Sequence, residues 1–139
     1  MSTILGNVAF VILIILLSNT LHEMAHLLFC LFFRCEVVEF KIPFLIFYRN
    51  RQLKAKFSIK EHNRCSFISN SPSKALWITI IGPLTNLIIG VAALVLILHC
   101  KTNWGILVGG VYNIVMCIYN LLPSTDGDGL LIYRLLKEK

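Results

Sequence analysis

Residues 22–26 read His-Glu-Met-Ala-His. On a helix, positions i and i+4 share a face, so His22 and His26 can ligate one metal ion. Glu23 stands beside them, placed to take a proton from a water that the metal activates. The pattern suits metal-assisted hydrolysis, and HExxH on a helix is the motif of zinc-dependent peptidases. Two blander readings compete: a polar turn that glues helices together, and a pair of axial haem ligands. Haem usually draws its two histidines from different helices or faces, and it leaves Glu23 without a use.

Composition weighs between these readings. Of the 139 residues, 57% are hydrophobic and 14% charged, against about 45–50% and about 25% in an ordinary soluble domain. Mean hydropathy is +0.77. A chain this short cannot bury so much apolar surface in one small core, which excludes a soluble globule, and it is far too apolar for a disordered chain. A single-domain integral membrane protein over residues 1–139 is expected. Inside a bilayer each ionisable side chain costs at least ~2.5–3.5 kcal/mol, so three in one helical turn need a shared use. A zinc ion provides one, because a dication binds neutral imidazole and favours a neighbouring carboxylate.

Catalytic zinc wants a third protein ligand and an open position. Outside the basic loop described below, the acids other than Glu23 are Asp126, Asp128 and Glu138. Both aspartates lie in Asn120-Leu-Leu-Pro-Ser-Thr-Asp-Gly-Asp-Gly129, and residue type alone leaves both open. His62 falls in the basic loop and His99 at the opposite surface. The amides of Asn86 and Asn120 can donate to a substrate carbonyl or hold its backbone. Their competing use is interhelical hydrogen bonding, worth about 0.6–2 kcal/mol in membranes. The five cysteines form no CxxC pair and read as reduced, buried small hydrophobes.

Three apolar stretches must carry these residues: helices at about 3–33, 75–98 and 104–122. The first is longer than the roughly 30 Å hydrocarbon core and must tilt or protrude. Pro123 ends the third. Between the first two lies a basic segment, 34–74, rich in β-formers. Gln52–Lys60 alternates apolar and polar residues, hence a strand. Val38, Phe40 and Ile42 alternate before it, with a turn at Tyr48–Arg51. Pro43 marks that first strand as an edge. The expected fold is an all-α polytopic membrane protein with three transmembrane helices and a small β-hairpin between the first and second.

Of 13 Lys and Arg, nine lie in Arg34–Lys74 and three at the C-terminus, leaving Lys101 alone. This is a topology signal rather than a nucleic-acid surface. It puts the hairpin loop and the C-terminus in the cytoplasm, and the N-terminus and Lys101 outside the cell membrane. His22 and Asn86 then both lie about 18 Å inside the cytoplasmic boundary, and His26 about 12 Å. Asn120 and the Asp loop fall in the same leaflet. Counting along the helix leaves Asp128 nearer the interface than the histidines. A tilted third helix or a fold-back over 123–129 must close that gap.

HEMAH, GPLTN and NLLPSTDGDG resemble, in order, the three signature segments of the site-2 protease family of intramembrane zinc metalloproteases. The likeness covers the three-helix core, the minimal core without a PDZ or CBS domain. It implies His22, His26 and Asp128 as zinc ligands and Glu23 as catalytic base. Asp128 is implied because family members place the Asp eight positions after the Asn, here Asn120. A Leu usually precedes that Asp, whereas Gly127 stands here and Asp126 offers a second carboxylate. The function expected is intramembrane cleavage of a membrane-spanning or membrane-proximal segment, with one zinc per chain. The partners expected are a transmembrane protein or peptide substrate and the lipid bilayer, with a second copy or an accessory membrane protein as further candidates, and no nucleic acid. The competing functions are a non-catalytic relative that regulates a membrane partner and a small metal-handling protein.

The charge bias makes a direct prediction. A reporter fused near Arg51 or after Lys139 should read cytoplasmic, and one at Lys101 external. The inverse pattern would move the HEMAH cluster to the other leaflet.

Overall fold

A computed structural model of the chain describes residues 2–42, 45–49, 52–57, 64–99, 104–123 and 127–137. The order of elements is α1 (Ser2–Phe32), β1 (Glu36–Ile42), β2 (Leu45–Arg49), β3 (Gln52–Phe57), β4 (Arg64–Ile68), α2 (Pro72–His99), α3 (Trp104–Leu121) and α4 (Asp128–Lys137). The three apolar stretches are helices long and apolar enough to cross a membrane. Their ends follow local chemistry. Arg34 adopts a left-handed backbone with φ 55°. Its N–H bonds the Leu31 carbonyl at 3.1 Å, and the Cys35 N–H bonds the Cys30 carbonyl at 2.8 Å. That is a Schellman close of α1, made by an arginine at the position glycine usually fills. Pro72 opens α2, where its missing N–H costs nothing, and the Ala75 N–H reaches the Ser71 carbonyl at 3.0 Å.

The interior and exterior are inverted relative to a soluble protein. Ser18, His22, Glu23, His26, Thr79, Asn86 and Asn113 are buried, while Leu28, Trp77, Ile88 and Ile118 are more than half exposed. Large apolar side chains on the outside of such helices suit lipid. Helix contacts are close because they are made at glycines. A β-carbon on Gly90 of α2 would stand 2.7 Å from Ile114 Cγ1 and 3.0 Å from the Gly110 carbonyl oxygen of α3. One on Gly109 would stand 2.7 Å from Ile14 of α1. Polar ties reinforce the α1–α3 contact: Asn113 Nδ2 donates to Ser18 Oγ at 2.9 Å, and the Tyr112 hydroxyl to Asn19 Oδ1 at 3.0 Å.

Between α1 and α2 the expected antiparallel β element is present and larger than one hairpin. It is a four-stranded sheet in the order β3-β2-β1-β4. The alternation in Gln52–Phe57 forms β3, while the segment expected to lead into a turn is itself partly strand, β2. Val38–Ile42 is not an edge. β1 pairs with β2 through Phe40↔Tyr48 and with β4 through Phe40↔Cys65. Pro43 itself lies outside the described residues. The β1–β4 register shifts between Val37 and Glu39, an extra residue in β1 that bends this strand beside α1.

The glycine contacts set the bundle's stability. Gly90→Leu should lower the thermal midpoint in detergent, at a cost of about 1–3 kcal/mol for overpacking. An unchanged midpoint would show that α2 and α3 can separate freely at this level.

Candidate metal centre and cavity

Ser18, His22, His26 and Cys30, spaced by four, lie on the buried face of α1. α2 packs against that face at Gly82. A β-carbon there would overlap the His26 ring and stand 2.7 Å from His22 Nε2. Only a glycine lets both imidazoles lie against this turn. Pro83 cannot donate to the carbonyl of Thr79 and loosens the turn. His26 Nδ1 donates to the Ile78 carbonyl oxygen at 2.6 Å. A carbonyl only accepts, so His26 Nδ1 carries a proton, and in the neutral ring Nε2 is left with the lone pair.

The third group arrives from beyond α3. The chain breaks helix at Leu121, passes Pro123, and restarts at Asp128 as the first residue of α4. The turn folds back tightly: a β-carbon on Gly129 would overlap the Leu122 carbonyl. This fold-back closes the gap that linear counting leaves. Asp128 Oδ2 lies 3.2 Å from His22 Nε2 and 3.4 Å from His26 Nε2, and the two Nε2 atoms are 3.1 Å apart. Asp126 lies outside the described residues.

These three separations fit a metal. Ligand atoms about 2.0–2.1 Å from a tetrahedral zinc stand about 3.3 Å from one another. The observed edges are 3.1, 3.2 and 3.4 Å. Two imidazoles and one carboxylate are a catalytic rather than a structural donor set, because they leave the fourth position open. Burial raises the Asp128 carboxyl, but hydrogen bonds from His22 and His26, made when their Nε2 atoms carry protons in place of a metal, outweigh it and hold the group down at about 2. The carboxylate is therefore ionised, as a ligand must be.

Beside the cluster is a cavity of about 580 Å³. One wall is His22, Glu23 and His26; the opposite wall is Arg64–Phe67 of β4; Asn120, Asp128 and Leu131 close it. The Cys65 backbone N–H lies beside the Glu23 carboxylate, and the Cys65 thiol lies beside that of Cys30. Of the two amides singled out in the sequence, Asn120 lines this cavity. Asn86 is 2% exposed and turned to His22, with its amide nitrogen 3.2 Å from Nδ1. His99 sits at the far end of α2, bonded to the Val95 carbonyl at 2.9 Å. His62 lies outside the described residues. In the sequence, Gly82-Pro83 reads as a pair that loosens the helix so that backbones approach, or that helps positioning; it does not show that the space is for the two imidazoles, and nothing there marks β4 as a wall.

The sequence model of peptidase family M50 matches residues 10–104, well over half of the chain. No curated protein matches it.

Gly82→Ala tests the cradle. Alanine is the better helix former, so the helical signal should stay. Zinc content should fall from about one per chain to a small fraction of that, as with His22→Ala or His26→Ala. Full zinc retention by the Gly82→Ala protein would mean that the imidazoles do not need this approach.

Proposed function

Since the chain belongs to peptidase family M50, a family of metalloproteases, and carries three membrane-spanning helices, we propose that it is an intramembrane zinc endopeptidase. The observation that carries this reading is the convergence of His22, His26 and Asp128 beside Glu23, on a cavity walled by the end strand of the sheet. His22, His26 and Asp128 hold the metal. A zinc ion held there supplies a Lewis acid that activates water and polarises the scissile carbonyl.

The chain's own groups do the rest. Glu23 takes the proton of the attacking water and passes it to the leaving amine. The Cys65 N–H holds the Glu23 carboxylate in place on the cavity wall. Asn120 donates its amide to the substrate backbone. A substrate helix must unwind first, because its carbonyls are occupied by helical hydrogen bonds. Among the described residues β4 pairs only with β1, so its other edge is open to an extended segment, which it can take as an added strand. Substrate capture is thereby assigned to β4, the strand that walls the cavity.

The substrate is a transmembrane protein or a membrane-bound peptide, cleaved in the cytoplasmic leaflet of the cell membrane. The N-terminus faces outward and the C-terminus the cytoplasm, as the Lys/Arg bias requires.

Co-expression with candidate single-span membrane proteins tests the activity. Cleavage should vanish in Glu23→Gln while zinc stays at one per chain. Asp128→Ala should lose both zinc and cleavage. Asp126→Ala should keep zinc, with at most a 10- to 100-fold effect through the ligand's surroundings. Cleavage that survives Glu23→Gln would end the proposal, and zinc loss confined to Asp126→Ala would reassign the third ligand.

A further inference from the structure

The stripe of α2 that faces the histidines has three members spaced by four: Ile78, Gly82 and Asn86. Gly82 leaves room for the rings. Ile78 offers a carbonyl that fixes the orientation of His26. Asn86 occupies the equivalent place for His22, with its side-chain amide nitrogen 3.2 Å from Nδ1. It is 2% exposed and does not border the cavity.

Resting on the metal-site reading above, we propose that Asn86 is a positioning residue: its side-chain carbonyl accepts the Nδ1–H of His22 and fixes the tautomer that turns Nε2 toward His26 and Asp128. The chemistry decides which end of the amide faces the ring. His22 Nε2 is the atom that meets His26 Nε2 at 3.1 Å and Asp128 Oδ2 at 3.2 Å. To ligate a metal it must carry a lone pair, so the proton sits on Nδ1. An N–H then points at Asn86. Offering it the amide nitrogen would set two donors against each other in a buried site, whereas the oxygen gives a hydrogen bond. The two ends exchange by a half-turn that leaves the side-chain outline unchanged. Asn86 Oδ1 has no partner at the far end of the group, so the turn breaks no hydrogen bond there.

In this arrangement both ligand histidines are oriented from one helix, one by a main-chain carbonyl and one by a side-chain carbonyl. Such outer partners fix ring orientation and raise ligand basicity. This gives Asn86 a role distinct from that of Asn120, which borders the cavity.

Zinc affinity, measured by competition with a chromogenic chelator on detergent-purified protein, tests the assignment without reference to cleavage. Asn86→Leu should weaken zinc binding about 10- to 100-fold, with the helical signal and the melting of the metal-free protein retained. Asn86→Asp keeps an acceptor toward Nδ1–H and should restore near wild-type affinity. In the zinc-loaded wild-type protein, the ring nitrogen resonances of ¹⁵N-labelled His22 should show Nδ1 protonated and Nε2 metal-bound. An Asn86→Leu protein that holds zinc as tightly as wild type and loses only cleavage would assign Asn86 to the substrate and overturn the proposal. Metal on His22 Nδ1 would overturn it too. Conversely, tight Asn86-dependent zinc binding with no Glu23-dependent cleavage would sink the protease reading and leave this inference standing.

Discussion

The structure depends on the close approach of α1 and α2 at Gly82. Two imidazoles one helical turn apart tend to splay, and two ring nitrogens with lone pairs repel unless a cation or proton lies between them. Here they converge to 3.1 Å because α2 has no side chain at the contact. The same turn also carries the Ile78 carbonyl that holds His26. A bulkier residue would separate the helices, and the loss would reach beyond the site, since α2 is also the partner of α3 through Gly90. One missing methyl group therefore links the packing of the bundle to the placing of its ligands.

Burial has the opposite sense in this protein from that in a soluble one. The buried set is dominated by polar side chains, and the exposed set by leucine, isoleucine and valine. In lipid the apolar exterior drives no helix association, so contacts must come from close packing and interhelical hydrogen bonds. Both are present: glycine contacts between α2 and α3, and the Asn113–Ser18 bond between α3 and α1. Ser18 lies one turn before His22 on the same face. The tie therefore steadies the part of α1 from which His22 and His26 project.

Much of this was legible in the sequence, for physical reasons that also mark where it stopped. Long unbroken apolar runs have one stable form in lipid, and Ser71-Pro72 starts a helix by rules of local geometry. The HEMAH turn declares itself because three ionisable groups there need an explanation. The sheet was only half legible. Gln52–Phe57 alternates, but Leu45–Arg49 is an almost continuous apolar run, and Arg64–Ile68 is too short and mixed to show a period. The strand before Pro43 reads as an edge from the proline alone, yet β1 lies between β2 and β4. At the site, the hidden features are main-chain groups and missing atoms: the Cys65 N–H, the Ile78 carbonyl and the absent β-carbon of Gly82. None is a residue type with a chemistry of its own.

The depth of Asp128 shows how such a gap closes. Extending α3 in a straight line carries the carboxylate past the histidines toward the interface. The chain instead stops its helix at Leu121 and folds back, and Gly129 lets the new helix press against the Leu122 carbonyl. The third candidate ligand thus belongs to a corner, not to a spanning helix. α4 is held to the bundle through contacts with α2 and α3 and through Asp128 itself. A metal bound by His22, His26 and Asp128 would join the corner to α1, and its binding energy would become part of the energy that docks α4. Asp128 is also the first residue of α4, where a negative charge faces the positive end of the helix dipole. The same carboxylate therefore favours the start of α4 and completes the cluster with His22 and His26, so the corner cannot unfold without dismantling that cluster.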